Sequence, residues 1–219
     1  MREFTNIFEQ YLINNVLSTL NNRSKYMLSL FSNTQQHYDS DVYVLSFNYT
    51  DTCEKLYNGC YNSFGEYNIK TYYVHGKVCN FDDCNLVLGT HSFDNKISSN
   101  NTTAIPVDFN VFRKHNQRHK YKTIEAYQDI LAKLTEPRKV IKPIFHVIGH
   151  SLDKTDHNIL KHIFLINKNA KINLYYHNEE AQENLINNVT EIIGEEEVMS
   201  KVRLIYQHDE KYGILKPVN

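Results

Sequence analysis

Apolar residues recur along this chain in two patterns: steps of three and four, and short unbroken runs. The first pattern predicts amphipathic helices and the second predicts buried strands. Phe4, Ile7, Phe8, Tyr11, Leu12 and Val16 predict a helix over 4–20. A second helix is expected from Ser24 to about His37, with Tyr26, Met27, Leu30 and Phe31 inward, and Asp39-Ser40-Asp41 makes a turn after it. Strands are expected at 42–47, 69–74 and 85–88, with a short helix over 52–61 between the first two. Helical spacing returns over 108–120 and 122–134, where Ile124, Tyr127, Leu131 and Leu134 share a face and Pro137 bars continuation. The last third reads strand 144–148, helix 155–167, strand 172–176, helix 179–193 ending at Gly194, and strand 202–206.

The β-α-β-α-β order from 144 to 206 implies parallel strands joined by right-handed crossovers. The expected fold class is α/β: a Rossmann-like, doubly wound, mostly parallel sheet with helices on both faces, preceded by an N-terminal helical segment. Strands 42–47, 144–148, 172–176 and 202–206 are expected in one sheet, because each is nearly continuous in apolar character and helices separate them. No repeat or linker divides the chain. It reads as a single domain over 1–219, helical over 1–40 and sheet-containing over 41–219. Residues 90–105 are polar and aperiodic, and are expected to form a surface loop that serves as a lid or binding loop.

Composition narrows the function classes. The 219 residues are 41% hydrophobic and 12% aromatic, which excludes wholesale disorder. A net charge of −1 leaves no global field to attract nucleic acid or an anionic membrane. No apolar run reaches the roughly 18 residues of a membrane span, and no apolar signal core precedes the first helix. A cytoplasmic protein with no membrane partner is expected. The four cysteines, Cys53, Cys60, Cys79 and Cys84, form no Cys-x-x-Cys pair and match no common zinc ribbon or finger. They read as free thiols, and no metal is expected. The strongest basic stretch, Arg113-Lys114-His115-Asn116-Gln117-Arg118-His119-Lys120 with Lys122, reads first as a solvated helix face and second as a phosphate or RNA contact.

Chemistry collects just past three of the runs. Ser46-Phe47-Asn48-Tyr49-Thr50 follows strand 42–47, His75-Gly76 closes strand 69–74, and Ile148-Gly149-His150-Ser151-Leu152 ends strand 144–148. Open parallel sheets bind ligands beyond their carboxyl edge, so an amide, an imidazole and a glycine-serine turn are expected to converge there. Gly149-His150-Ser151-Leu152 lacks the second glycine of a nucleophile elbow, which argues against acyl transfer.

These segments, together with Leu56-Tyr57, Val74-His75-Gly76-Lys77, Leu86-Val87-Leu88-Gly89 and Asp156, resemble the AbiH family of bacteriophage abortive-infection proteins over about 42–177. More loosely, they are similar to sirtuin-like NAD-binding domains. The resemblance implies a role in phage defence and a site for NAD or a related nucleotide. It assigns catalytic places to His75 and Asn48 and cofactor-binding places to Gly76, Gly89, Gly149, Ser151 and Asp156. Asn48 would hold the nicotinamide ribose or a water, His75 would act on a ribose hydroxyl or a water, and Gly149 and Ser151 would line the ribose and phosphates. Two departures stand out. Thr50 occupies the place of the sirtuin acid, and the chain contains no Gly-x-Gly, the usual backbone cradle for phosphate. The chain is therefore expected to correspond to the later part of an AbiH protein, truncated or divergent.

NAD hydrolysis is the reaction such a site would run, with a neutral imidazole of ordinary pKa about 6.5 as the base. Local roles compete with these assignments. His75 could cap its strand, Asn48 could make a turn, and Ser151 and Asp156 could cap the following helix. Neither Asn48 nor His75 is expected to fill the core. The rival functions are a non-catalytic sensor or interaction module, binding a nucleotide, a phage component or itself, and an RNA-acting toxin that uses His75 and the 113–122 cluster.

Overall fold

β-branched and aromatic runs bounded by polar turns form the strands, and amphipathic segments cover them. The computed structural model describes residues 2–20, 23–24, 27–28, 30–31, 42–58, 61–62, 65–66, 69–78, 85–89, 113–136 and 142–206. The elements in order are α1 (Arg2–Tyr11), β1 (Val42–Ser46), α2 (Thr52–Tyr57), β2 (Tyr61–Asn62), β3 (Gly65–Glu66), β4 (Ile69–Tyr73), α3 (Lys114–Lys120), α4 (Thr123–Leu134), β5 (Ile144–Val147), α5 (His157–Leu165), β6 (Lys171–Tyr176), α6 (Glu179–Ile193), α7 (Glu195–Lys201) and β7 (Val202–Tyr206). The loop expected over 90–105 lies outside the described residues.

β1 pairs in parallel with β4, Val42 opposite Ile69 and Ser46 opposite Tyr73. β5, β6 and β7 form a three-stranded parallel sheet in that order. β2 and β3 make a two-residue antiparallel ladder. The expected parallel pairings are present within 144–206. The single sheet is not: among the described residues no strand pairing joins β1–β4 to β5–β6–β7. Apolar runs separated by helices establish that strands are buried and parallel, and they leave open which edges meet. The expected strand at 85–88 is a further correction. Leu86 and Val87 are buried, but the segment is extended chain without a strand ladder.

Both sheets nevertheless feed one core. Ile172 and Leu174 of β6 pack with Ile163 and Phe164 of α5 and Val189 of α6, while Leu45, Phe47, Phe145 and Val147 close on the same cluster beside Val74. Asn178 begins α6 by accepting a hydrogen bond from the Ala181 N–H at 2.7 Å, and Gly194, at φ +85°, ends it where expected. α1 continues through a π turn (Leu12–Val16) and a 3-10 turn (Leu17–Thr19). It does not bury its whole apolar stripe. Phe4, Ile7 and Tyr11 are 63%, 61% and 56% exposed, and the segment docks instead through buried Leu12 and through Phe8, whose ring meets Tyr49 edge-on at 5.5 Å.

Candidate functional site

The carboxyl ends of β1, β4 and β5 meet. Phe47, just past β1, lays its ring against two imidazoles, His75 at 5.5 Å and His150 at 4.4 Å between centroids. Tyr49 stands 6.0 Å from His75 on the same turn. His75 is held in place by main chain on either side. Val74 N–H bonds to Ser46 carbonyl at 3.0 Å, and His75 carbonyl accepts from Val87 N–H at 2.8 Å. Gly76 lies at φ +74°, and a Cβ there would meet the Asn85 carbonyl oxygen at 2.1 Å, so only glycine lets the 85–89 segment pass this close.

The segment is clamped from the other side by α3. Gln117 accepts from Leu88 N–H at 2.7 Å and donates to Leu88 carbonyl at 2.6 Å, so one side-chain amide substitutes for a neighbouring strand. That clamp turns Lys114 and Arg118, one helical turn apart, toward His75. The basic stretch is therefore not a uniformly solvated face: Lys114, Gln117 and Arg118 are buried, while His115, His119, Lys120 and Lys122 are exposed.

Asp156 is the hub. Its Oδ1 accepts from Arg118 Nη2 at 2.9 Å, lies 3.1 Å from His75 Nε2 and stands 3.4 Å from Lys114 Nζ. Lys114 Nζ also donates to Thr155 Oγ1 at 3.0 Å. Oδ2 faces His150 Nε2 at 3.7 Å, and His150 Nδ1 accepts from Leu152 N–H at 2.9 Å, which assigns the His150 proton to Nε2. Asp156 begins α5, yet its side chain makes no capping bond; the cap one turn earlier is Asp153, which accepts from Thr155 N–H at 2.9 Å. The helix-cap role weighed for Asp156 is thus replaced by a place in a buried ionic cluster.

Burial works against ionisation of Asp156, but the His150 and His75 donors and the Lys114 charge outweigh it and hold the carboxyl far below the usual range. Burial pushes His75 below its ordinary basicity; Asp156 opposes that shift, and Lys114 and Arg118 reinforce it. Nε2 lies beside the carboxylate, with Lys114 Nζ also 3.5 Å away, and Nδ1 faces the Arg118 Nη2 donor at 3.4 Å. The contacts favour a ring proton on Nε2, and the lowered basicity favours the neutral ring. Burial also lowers Lys114, aided by Arg118 and resisted by Asp156. Tyr49, whose hydroxyl donates to Val87 carbonyl at 3.0 Å, is pushed up to about 12, chiefly by burial and then by Asp156.

The structure thus brings together His75, Gly76 and Asp156 of the residues singled out from sequence. Contrary to expectation, His75 belongs to the interior, at 3% exposure. Asn48 is exposed, and its main-chain N–H and carbonyl both bond to Ser46 Oγ. Gly149 (φ +64°) is exposed on the turn beside His150, with nothing within 4 Å of a Cβ. Ser151 is exposed and its carbonyl accepts from Asn188, while Gly89 is exposed at the end of the 85–89 segment. Among the described residues no group of His, Cys, Asp and Glu could hold a metal ion. Burial pushes the Cys53 thiol up to about 11, while Cys60, Cys79 and Cys84 lie outside the described residues. Lys114 and Arg118 were not singled out individually. Every residue of α3 is polar, so nothing in the sequence separates the buried 114, 117 and 118 from the exposed remainder.

A family model described as bacteriophage abortive infection AbiH matches residues 2–177. The chain belongs to the AbiH family. No curated protein and no solved structure matches it. The matched span includes every residue of the cluster, from Phe47 to Asp156, and stops just past β6, so α6, α7 and β7 lie outside it. Among the described residues of this AbiH chain, no helix is long and apolar enough to cross a membrane.

Proposed function

We propose that this AbiH protein acts in abortive infection by binding NAD or a related nucleotide at the strand-end site, with hydrolysis of the nicotinamide–ribose bond as its reaction. The carrying observation is the His75–Asp156 pair, 3.1 Å apart at the carboxyl ends of parallel strands, the edge where such sheets take ligands. Hydrolysis joins water to NAD and gives ADP-ribose, nicotinamide and a proton. The ribose carries oxocarbenium character in the transition state, so the site must orient the sugar and accept the proton of the water. His75 supplies the neutral imidazole. Its free lone pair is on Nδ1, which faces Arg118, so the base acts once the guanidinium yields that atom to the water. Exposed Asn48 orients the ribose, Gly76 lets the 85–89 segment close against His75, Gly89 and Gly149 allow close approach of the ligand, Ser151 offers a hydroxyl, and Asp156 fixes the imidazole.

The test is nicotinamide release by the purified protein. His75→Ala is expected to lower turnover by a factor on the order of 100 or more, and Asn48→Ala to lower it through lost orientation. Equal release by wild type and His75→Ala removes His75 from the mechanism. A second reading, a nucleotide-binding sensor without catalysis, draws on the engagement of both His75 ring nitrogens by protein groups. Binding of NAD without release supports it. For an RNA-acting toxin, the 113–122 cluster presents His115, His119, Lys120 and Lys122 outward, and a steep salt dependence of RNA binding would reveal such a contact.

A further inference from the structure

We infer that Lys114 and Arg118 form an oxyanion subsite that takes the pyrophosphate of the bound nucleotide. The inference rests on the nucleotide reading and adds the residues that hold the charged part of the ligand. Both cations project from one face of α3 at i and i+4, with side chains only 11% and 6% exposed. They share a single carboxylate oxygen, Asp156 Oδ1, at 3.4 and 2.9 Å, and the same oxygen also faces His75 at 3.1 Å. Both cations thus converge on one carboxylate oxygen in a region largely shielded from water, where charges interact far more strongly than on the surface, while Asp153 adds a second, more exposed negative charge near Lys114. The buried Arg118 Nε has no hydrogen-bond partner among the described residues, so the guanidinium has donor capacity beyond its bond to Asp156. A further anion engages both cations and takes up the spare donor.

The geometry favours a doubly charged phosphate group over a lone carboxylate. Cations one helical turn apart reach different oxygens of a pyrophosphate, and a guanidinium suits phosphate in a bidentate mode. The sequence contains no Gly-x-Gly turn to offer backbone donors, and side-chain cations perform the same task. Lys114, the less buried of the two, also donates to Thr155 Oγ1. A ligand oxygen that draws Arg118 toward it also frees His75 Nδ1, which links anion binding to the availability of the base.

The experiment is calorimetric titration of the full chain with sodium pyrophosphate and, separately, with NAD, using wild type, Lys114→Gln and Lys114→Arg. Wild type is expected to bind both probes, Lys114→Gln to bind each about ten- to a hundredfold more weakly, as for a lost charge-assisted contact, and Lys114→Arg to bind more tightly than Lys114→Gln. Unchanged NAD affinity in Lys114→Gln overturns the subsite and leaves the nucleotide reading standing. Pyrophosphate binding that depends on Lys114, without NAD binding, supports the subsite and removes the NAD reading. Binding of neither probe by wild type overturns both. Acetylation of Lys114 in the wild-type protein, followed by mass spectrometry, decides the matter should Lys114→Gln fail to fold. Pyrophosphate is expected to slow that modification, and an unchanged rate overturns the subsite.

Discussion

Gly76 and Gly149 have similar left-handed backbones and different neighbours, and this difference separates two roles that glycine can play beside a site. At Gly76 a Cβ would stand 2.1 Å from a main-chain oxygen of Asn85 and 2.6 Å from its side-chain oxygen. The strain of φ +74° adds to that collision, and relief would require the 85–89 segment to move away from His75. At Gly149 only the φ of +64° opposes a side chain, because the surrounding space is open. Gly149→Ala should therefore cost about 1–2 kcal/mol, the usual penalty for an L-residue in this region. Gly76→Ala should cost more than that, since overpacking adds about 1–3 kcal/mol to the strain. Urea denaturation of the two variants measures the difference, and equal losses would mean that the 85–89 segment gives way freely. Both glycines were legible in the sequence as strand-end positions. Lys114 and Arg118 were legible only as charge, because periodicity arguments look for apolar faces and a buried cation inverts the rule.

Among the elements, the extended segment 85–89 shows how an apolar run can be buried without being a strand. Leu86-Val87-Leu88 has the composition of one, but its hydrogen bonds go to the His75 carbonyl, the Tyr49 hydroxyl and both ends of the Gln117 amide. Nothing in the sequence signals that a glutamine 29 residues away completes the pairing. By contrast, α6 and β7 carried local signals, helical spacing that ends at a glycine and a short apolar run, and both lie where those signals put them. Gln117 is the joint that places α3. Gln117→Ala removes two short bonds and leaves a part-buried N–H and carbonyl of Leu88 to find other partners. The expected loss is about 1–3 kcal/mol. It should also reach the site, because Lys114 and Arg118 ride on the same helix. Hydrogen exchange of the Leu88 and Val87 amides should accelerate in this variant, and unchanged protection would show that α3 is held elsewhere.

Over the whole molecule, two small parallel sheets share one core, and the site lies where their strand ends meet. What the sequence left open was the joining of the strands, since edge pairing depends on contacts between segments far apart in the chain. The same long-range assembly sets how stability responds to pH, because the groups with shifted basicity come from separate elements. His75 and His146 are both less basic in the fold, through burial above all. The unfolded chain protonates these imidazoles near their ordinary value of about 6.5, so it binds more protons than the folded chain just below that pH. Their effect is a stability fully present above about 6.5 and lost as pH falls below it. Asp156 has its folded carboxyl held below the unfolded value of about 3.9, so its contribution is complete above that value and is lost as pH falls further. On the alkaline side, Cys53 and Tyr49 are raised to about 11 and 12, so the unfolded chain ionises them first and stability declines as pH rises above their ordinary values. Lys114, lowered by burial, works against that decline. The urea midpoint should therefore climb from pH 5 to pH 7 and level off near neutrality. His75→Gln, which keeps a polar side chain without a titrating imidazole, should flatten the climb without abolishing it, because His146 remains. A climb of undiminished slope in that variant would show that His75 titrates alike in the folded and unfolded chains, and the neutral imidazole required for its role as a base would then lose its support.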